Sequence, residues 1–257
     1  MTSRDTDKLN TEASADNILV GLVKTTWKTL SFPVHPAGWP FIAGFAVVTI
    51  LLALLSNFLG LVGLLLTVWC LYFFRNPVRA VPQGKGLIVS PADGRVILIR
   101  ENIALPAEIE EDVPSKAEWT CVSIFLSVFN VHVNRVPLAG KVKQVIYHPG
   151  QFLNASLDKA SEKNERSTTY IETEDNKHYA FVQIAGLVAR RILNDLKEGE
   201  KVATGQHMGI IRFGSRLDVY LPKGVSPQVA IGQTAIAGET VIADMTSKSK
   251  STEAISI

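Results

Sequence analysis

The sequence predicts a mainly β fold (β-rich α+β, sandwich or hybrid-barrel-like) preceded by a membrane-anchoring apolar helical hairpin. Three observations predict it. No Asp, Glu, Lys or Arg occurs between Lys28 and Arg75, although charged residues make up 19% of the 257-residue chain. Beyond Arg75, short apolar runs recur between clusters of Gly, Pro and polar residues, which is the pattern of strands and turns. A mean hydropathy of +0.19 with 47% hydrophobic residues is too apolar for a disordered chain. The charge balance, 26 basic against 24 acidic residues, lacks the basic excess of a nucleic-acid binder, so none is expected as partner. Two cysteines, Cys70 and Cys121, furnish neither a disulfide framework nor a zinc site on their own, and both lie in runs that predict buried thiols.

Residues 1–38 form an N-terminal cytoplasmic or interfacial segment. Within it, Ile18, Leu19, Leu22, Val23, Trp27 and Leu30 recur at helical spacing, as in a helix lying flat on a membrane interface or an ordinary surface helix. Residues 39–74 are almost continuously apolar. As one helix they would run ~54 Å at ~1.5 Å per residue, against a hydrocarbon core of about 30 Å. The stretch therefore divides into Phe41–Leu55 and Leu61–Phe74, with 56–60 as the break. Each half is short for a span, which predicts a tight, re-entrant hairpin. Trp39 and Phe41 at one outer end, and Trp69, Tyr72, Phe73 and Phe74 at the other, are placed as interface anchors. Lys24 and Lys28 precede the hairpin, and Arg75, Arg79 and Lys85 follow it. Positive charge on both flanks puts both ends, and the bulk of the chain, on the cytoplasmic face of the cell membrane.

Residues 75–245 predict strands near 86–90, 95–100, 120–126, 141–147, 167–173, 178–184, 208–213, 217–221 and 241–243, with one helix near Ala189–Leu196. Turn signals lie at Asp93-Gly94, His148-Pro149-Gly150, Pro222-Lys223-Gly224 and Ala237-Gly238. A weak Gly-Val recurrence (Gly94-Arg95-Val96, Gly140-Lys141-Val142) is of the kind seen in lipoyl-type barrels. It motivates an alternative, a non-enzymatic membrane-anchored adaptor or carrier. Residues 246–257 are a loose Ser/Thr/Lys-rich tail.

The five histidines form no pair at metal-ligand spacing, and no phosphate-cradling glycine loop occurs, so neither a metal nor a nucleotide is expected. Ser156 and Lys159 fit a Ser-x-x-Lys pattern without its companion motifs. Gly214-Ser215 is flanked on both sides by strand-like residues. On the dipeptide alone, it marks a β-bulge with a surface serine.

The surroundings reverse that weighing. Ser90-Pro91-Ala92-Asp93-Gly94, Phe129-Asn130-Val131-His132-Val133-Asn134-Arg135, Gly150-Gln151-Phe152-Leu153-Asn154-Ala155, Asn164-Glu165-Arg166 and Arg212-Phe213-Gly214-Ser215-Arg216 occur in that order. Before them, Phe73-Phe74-Arg75-Asn76-Pro77-Val78-Arg79 follows the apolar hairpin. Over roughly residues 40–245 the series resembles the short form of the phosphatidylserine decarboxylase proenzymes, which are pyruvoyl enzymes.

The resemblance implies self-cleavage at 214/215 into a β chain, 1–214, and an α chain, 215–257, which stay together as a heterodimer. The Ser215 hydroxyl would attack the Gly214 carbonyl, and position 215 would end as a covalent pyruvoyl (pyruvate-derived) group. Phosphatidylserine would condense with it as a Schiff base, lose CO₂ and leave as phosphatidylethanolamine. An ether-linked archaetidylserine would undergo the same headgroup chemistry. His132 is implied as the acid–base group that activates Ser215, and Asp93 as its orienting or charge-stabilising partner. Arg135 stands where longer family members have a second histidine, and could hold the substrate's carboxylate or phosphate. Lys159 and Arg166 are further cationic candidates for the headgroup. A higher oligomer is compatible with all of this.

Overall fold

The computed structural model describes residues 33–109, 118–151, 163–186, 191–212 and 214–247. The expected interfacial helix near Ile18–Leu30, Lys159 and the loose tail beyond 247 lie outside them. A 3₁₀ turn at Pro36–Gly38 leads into α1 (Trp39–Leu55), and α2 follows at Asn57–Phe73. The break is narrower than the sequence predicts. Ser56 alone leaves helical geometry, at φ −163° and ψ 139°, and its hydroxyl caps α2 by accepting from the Phe58 N–H at 3.3 Å. With its N-terminus capped there, α2 starts four residues earlier than expected.

The two helices pack on each other through small and hydroxyl side chains. A Cβ on Gly63 would lie 3.0 Å from the Thr49 Cα, so glycine is what allows this approach. Thr49 and Thr67 meet hydroxyl to hydroxyl at 2.9 Å, and each also bonds a carbonyl one turn back. Around this seam the hairpin is apolar on every side, with Leu54, Leu55 and Phe58 more than two-thirds exposed. Pro36–Leu55 is long and apolar enough to cross a membrane. At its foot the hairpin is closed by a bridge between Val34 and Arg75. There Phe73 and Phe74 are fully buried against Val131, Val133 and Ile210 of the β domain.

The β domain opens with β1 (Leu87–Val89), β2 (Gly94–Ile103), β3 (Trp119–Leu126), β4 (Val133–Arg135) and β5 (Gly140–His148). It continues with β6 (Arg166–Glu172), β7 (His178–Ala185), β8 (Ile192–Asn194), β9 (Lys201–Val202) and β10 (His207–Ile211). The last strands are β11 (Ser215–Leu221), β12 (Thr234–Ala235) and β13 (Val241–Asp244). An eight-stranded antiparallel sheet runs in the order β12-β2-β3-β11-β7-β6-β5-β9. A three-stranded sheet, β4-β10-β8, and a ribbon, β1-β13, complete it. The architecture is the expected mainly β one, a curled sheet forming a half-barrel. The main core lies on one face of the large sheet, around Val122, Ile124, Leu126, Phe181, Leu217 and Val219. Cys121, Tyr170, Val182 and Tyr220 pack on the other face. Both cysteines are free and buried.

The helix expected near Ala189–Leu196 is not formed at its C-terminal half. Residues 192–194 are β8, paired with β10 in the register Ile192↔Ile211. Tertiary pairing overrides a short apolar run whose periodicity fits either element. Of the five strands of two or three residues, β4, β8, β9 and β12 give no pattern long enough to read, and only β1 falls in an expected strand.

β11 is the central point of the topology. Every residue from Ser215 to Tyr220 pairs with β3 on one side and β7 on the other. β12 and β13 come from the same C-terminal stretch and pair with β2 and β1. Residues 215 onward are thus woven into two sheets, and a cut before Ser215 breaks none of this pairing.

Candidate active site

The chain leaves β10 in one sheet and enters β11 in another, crossing through residues 212–214. Gly214 lies in that crossing, not in the middle of a strand as the bulge reading has it. Its φ is +75°, the left-handed region where a side chain costs roughly 1–2 kcal/mol. A Cβ there would meet only Val128, at an ordinary 3.8 Å, so the backbone angle and not the space calls for glycine. Ser215 opens β11 between Leu126 and Ala185. It is fully buried, and its Oγ has no hydrogen-bond partner among the described residues. An unsatisfied buried hydroxyl costs about 1–3 kcal/mol, a burden that packing alone does not explain.

His132 stands over the crossing. Its Nδ1 lies 3.0 Å from the Asn130 carbonyl, and the Gly214 N–H donates to its Nε2 at 3.2 Å. These two bonds assign the tautomer, with the proton on Nδ1 and the lone pair on Nε2. The ring of Phe73, the last residue of α2, covers the imidazole at 4.3 Å between centroids and 30° between planes. Burial pushes the His132 pKa down to about 4; the Asn130 carbonyl opposes this and the Arg75 charge reinforces it. At neutral pH the residue is a neutral base whose lone pair rests on the amide of the residue preceding Ser215.

Asp93 is not in contact with His132. One Arg79 nitrogen donates to both of its oxygens, at 2.9 and 2.7 Å, and the Ala237 N–H donates to Oδ1 at 2.8 Å. The orienting bond expected from Asp93 comes instead from the Asn130 carbonyl. What Asp93 joins is the chain leaving the hairpin, the start of β2 and the C-terminal stretch. Arg135 spends its guanidinium on the Gly205 and Pro77 carbonyls and on Asn76 Oδ1. Arg166 pairs with Glu108 at 2.8 Å and lines a cavity of about 440 Å³. The cross-strand row Arg166↔Ile184↔Arg216 puts it on the opposite face of the sheet from Ser215.

Sequence reasoning missed two features. Arg216 and Asp218 form a fully buried ion pair at 2.6 Å, and Arg216 also donates to Ser123 Oγ at 2.8 Å. Charges at i and i+2 within an apolar strand are the signal, since they share one face. Phe73 reads from sequence as an interface anchor; no pattern shows that it roofs a histidine some sixty residues on.

The comparisons with known proteins meet this geometry. The sequence model of the family described as phosphatidylserine decarboxylase matches residues 66–243. A phosphatidylserine decarboxylase proenzyme of Cereibacter sphaeroides is 58% identical over 215 residues, covering 84% of this chain and 91% of that protein. Proenzymes of Ruegeria pomeroyi and Rhodospirillum rubrum are 54% and 53% identical, covering 83% and 86% of this chain and 95% and 93% of their own lengths. The chain belongs to the phosphatidylserine decarboxylase family. As a phosphatidylserine decarboxylase it is an enzyme, and its curated relatives are made as proenzymes; the adaptor or carrier alternative loses its basis. The matched span includes Asp93, His132, Gly214 and Ser215, so the geometry described above belongs to the part of the chain that the family shares.

Proposed function

We propose that the chain matures by cutting itself between Gly214 and Ser215, and that the product converts phosphatidylserine to phosphatidylethanolamine and CO₂ at position 215. The observation that carries this reading is the Ser215 hydroxyl, buried and unbonded, beside a left-handed glycine whose amide sits on a neutral histidine. For the attack, His132 Nε2 releases the Gly214 N–H and takes the Ser215 proton. Oγ then bonds the Gly214 carbonyl carbon, and the 214–215 peptide C–N bond breaks as His132 passes that proton to the departing nitrogen, leaving an ester and a free amine at residue 215. Loss of the Cα proton expels Gly214 as a carboxylate. Addition of one water and departure of ammonia leave a ketone at Cα of residue 215. The residues fit that group, because the sheet holds the fully buried position 215 from both sides. When formed, the ketone supplies the electron sink that no natural side chain offers.

In turnover, the neutral His132 is the one titratable group that the described structure sets against the 214/215 junction, which suits it to move protons there. Asp93 holds the two cleavage products together through Arg79 on one and Ala237 on the other. The apolar hairpin, flanked by positive charge, keeps the domain against the cytoplasmic face of the membrane, where the lipid lies.

The test is the intact mass of the purified chain beside Ser215→Ala, followed by turnover on phosphatidylserine vesicles. Two fragments meeting at 214/215, the smaller with a pyruvoyl terminus, and an ethanolamine lipid product are expected from the wild type only. A single full-length mass in both samples overturns the proposal.

A further inference from the structure

The foot of the hairpin carries arginines of an unusual kind. Arg79, Arg166 and Arg216 each sit against a carboxylate, and Arg75, Arg95 and Arg135 donate to protein carbonyls. Among the described residues, Arg75, Arg191 and Arg212 are in no ion pair. Arg212, two residues before the cut, lies over the Phe41 ring at 5.0 Å from its centroid. Its Nε is buried without a hydrogen-bond partner. The charge that acts on it is that of Arg191, whose carbonyl accepts the Arg212 backbone N–H at 3.2 Å and whose side chain is exposed. Two like charges near each other repel, and the buried Arg212 Nε–H without an acceptor favours an anion that joins it.

The position of this pair is equally specific. Phe41 stacks on Phe74 at 5.6 Å, Phe74 meets Phe73 edge to face at 5.0 Å, and Phe73 covers His132. From His132 the Gly214 amide leads back to Arg212, so hairpin foot, cut site and arginine close a ring. Exposed Trp39 stands at the same end, where aromatic residues mark the headgroup layer of a bilayer. Three residues span at most ~11 Å of chain, so Arg212 is within that reach of position 215.

We propose that Arg212, with Arg191, binds the phosphate of an anionic phospholipid at the foot of the hairpin and so presents the lipid's headgroup to position 215. The inference rests on the phosphatidylserine reading above and gives it a headgroup site. It replaces Arg135 and Arg166, whose guanidinium groups are already committed to protein oxygens. A guanidinium takes a phosphate through two parallel N–H bonds, and cation–π contact with Phe41 holds the fork in place.

The test compares wild type, Arg212→Gln and Arg212→Lys as full chains. On phosphatidylserine diluted in neutral detergent, Arg212→Gln is expected to raise KM about tenfold. Its kcat should stay within about twofold, the cut fraction unchanged, and Arg212→Lys should recover part of the loss. An unchanged KM, or a loss confined to kcat, overturns the proposal. A second arm needs no turnover. The uncut Ser215→Ala chain is bound to phosphatidylcholine nanodiscs with and without phosphatidylserine, and the preference for phosphatidylserine should vanish on adding Arg212→Gln. A preference that survives overturns the proposal, as does inorganic phosphate binding the chain in lipid-free detergent as tightly as the phosphatidylserine discs do. If the wild type proves uncut and inactive, the functional reading fails while this binding arm still reports on Arg212.

Discussion

Lowering the pH during maturation tests the central physical claim, that His132 is kept neutral by burial. Its pKa is pushed from an ordinary 6.5 to about 4. At about 1.36 kcal/mol per unit, protonating it in place costs roughly 3 kcal/mol more than in water. At pH 5 about nine-tenths of such a histidine remains a base, against roughly 3% of one with pKa 6.5, about a thirtyfold difference in competent enzyme. The chain can be made by cell-free synthesis into vesicles, shifted to buffers from pH 4 to 8, and its 214/215 fragments followed by gel. The cleavage rate should hold nearly flat down to pH 5 and halve near 4. Phe73→Leu opens one face of the imidazole to water and should move that midpoint up by about one unit, at a modest cost in packing. A wild-type midpoint already near 6.5, or a midpoint that Phe73→Leu leaves in place, refutes the reasoning. The same shift acts on stability. The folded pKa lies below the unfolded one, so the contribution is whole above pH 6.5 and is lost as pH falls toward 4. It amounts to roughly 2 kcal/mol by pH 5, and Trp fluorescence in the same buffers separates that loss from slower chemistry.

Other substitutions probe the rest of the site. Gly214→Ala should slow cutting by an order of magnitude or more while costing only about 1–2 kcal/mol of stability, since the strain is in φ and not in space; fragment yield and a urea midpoint measure the two. Asp218→Ala leaves the Arg216 guanidinium buried without its counter-ion and should cost about 3–5 kcal/mol in a denaturant titration of the uncut Ser215→Ala background. Asp93→Asn weakens the link to Arg79 and should destabilise the cut protein more than the uncut Ser215→Ala chain. Equal losses in the two denaturant midpoints would remove its assignment as a clasp between fragments.

Much of the architecture is legible from sequence because two periodicities are long. The charge-free stretch gives the hairpin, and runs such as 120–126 and 178–184 give β3 and β7. What escapes is what only pairing creates. β8 is an apolar triplet that becomes a strand because β10 lies beside it. The Gly214-Ser215 dipeptide reads as a bulge because its two flanks look like one strand, whereas they are interior strands of two different sheets. The site shows the same division. The Gly214 amide meets His132, and Ser215 follows it directly in the chain, but the Ser215 hydroxyl makes no hydrogen bond to the imidazole. Asp93, Arg135 and Arg166 carry the right charge but are spent on Arg79, on backbone carbonyls and on Glu108. Charge can be read along a chain; commitment to a partner is settled in three dimensions.

The fold also accounts for why a cut at this place is tolerable. A break inside β11 would sever a strand bonded on both sides, and a break far from it would leave the new terminus exposed. The 214/215 peptide lies at the junction of two sheets, one residue outside the ladder. Ser215 is paired with Leu126 and Ala185, so the terminus that the proposed cut would create would start inside the sheet. The 212–214 side is held differently, by Arg212 on Phe41 and by the Gly214 amide on His132. Only the second of these contacts involves the bond being broken. In the proposed reaction His132 gives up the Gly214 N–H to take the Ser215 proton, and once Gly214 had departed as a carboxylate that bond would no longer compete for the lone pair. A single histidine can then serve both stages because the first stage releases it.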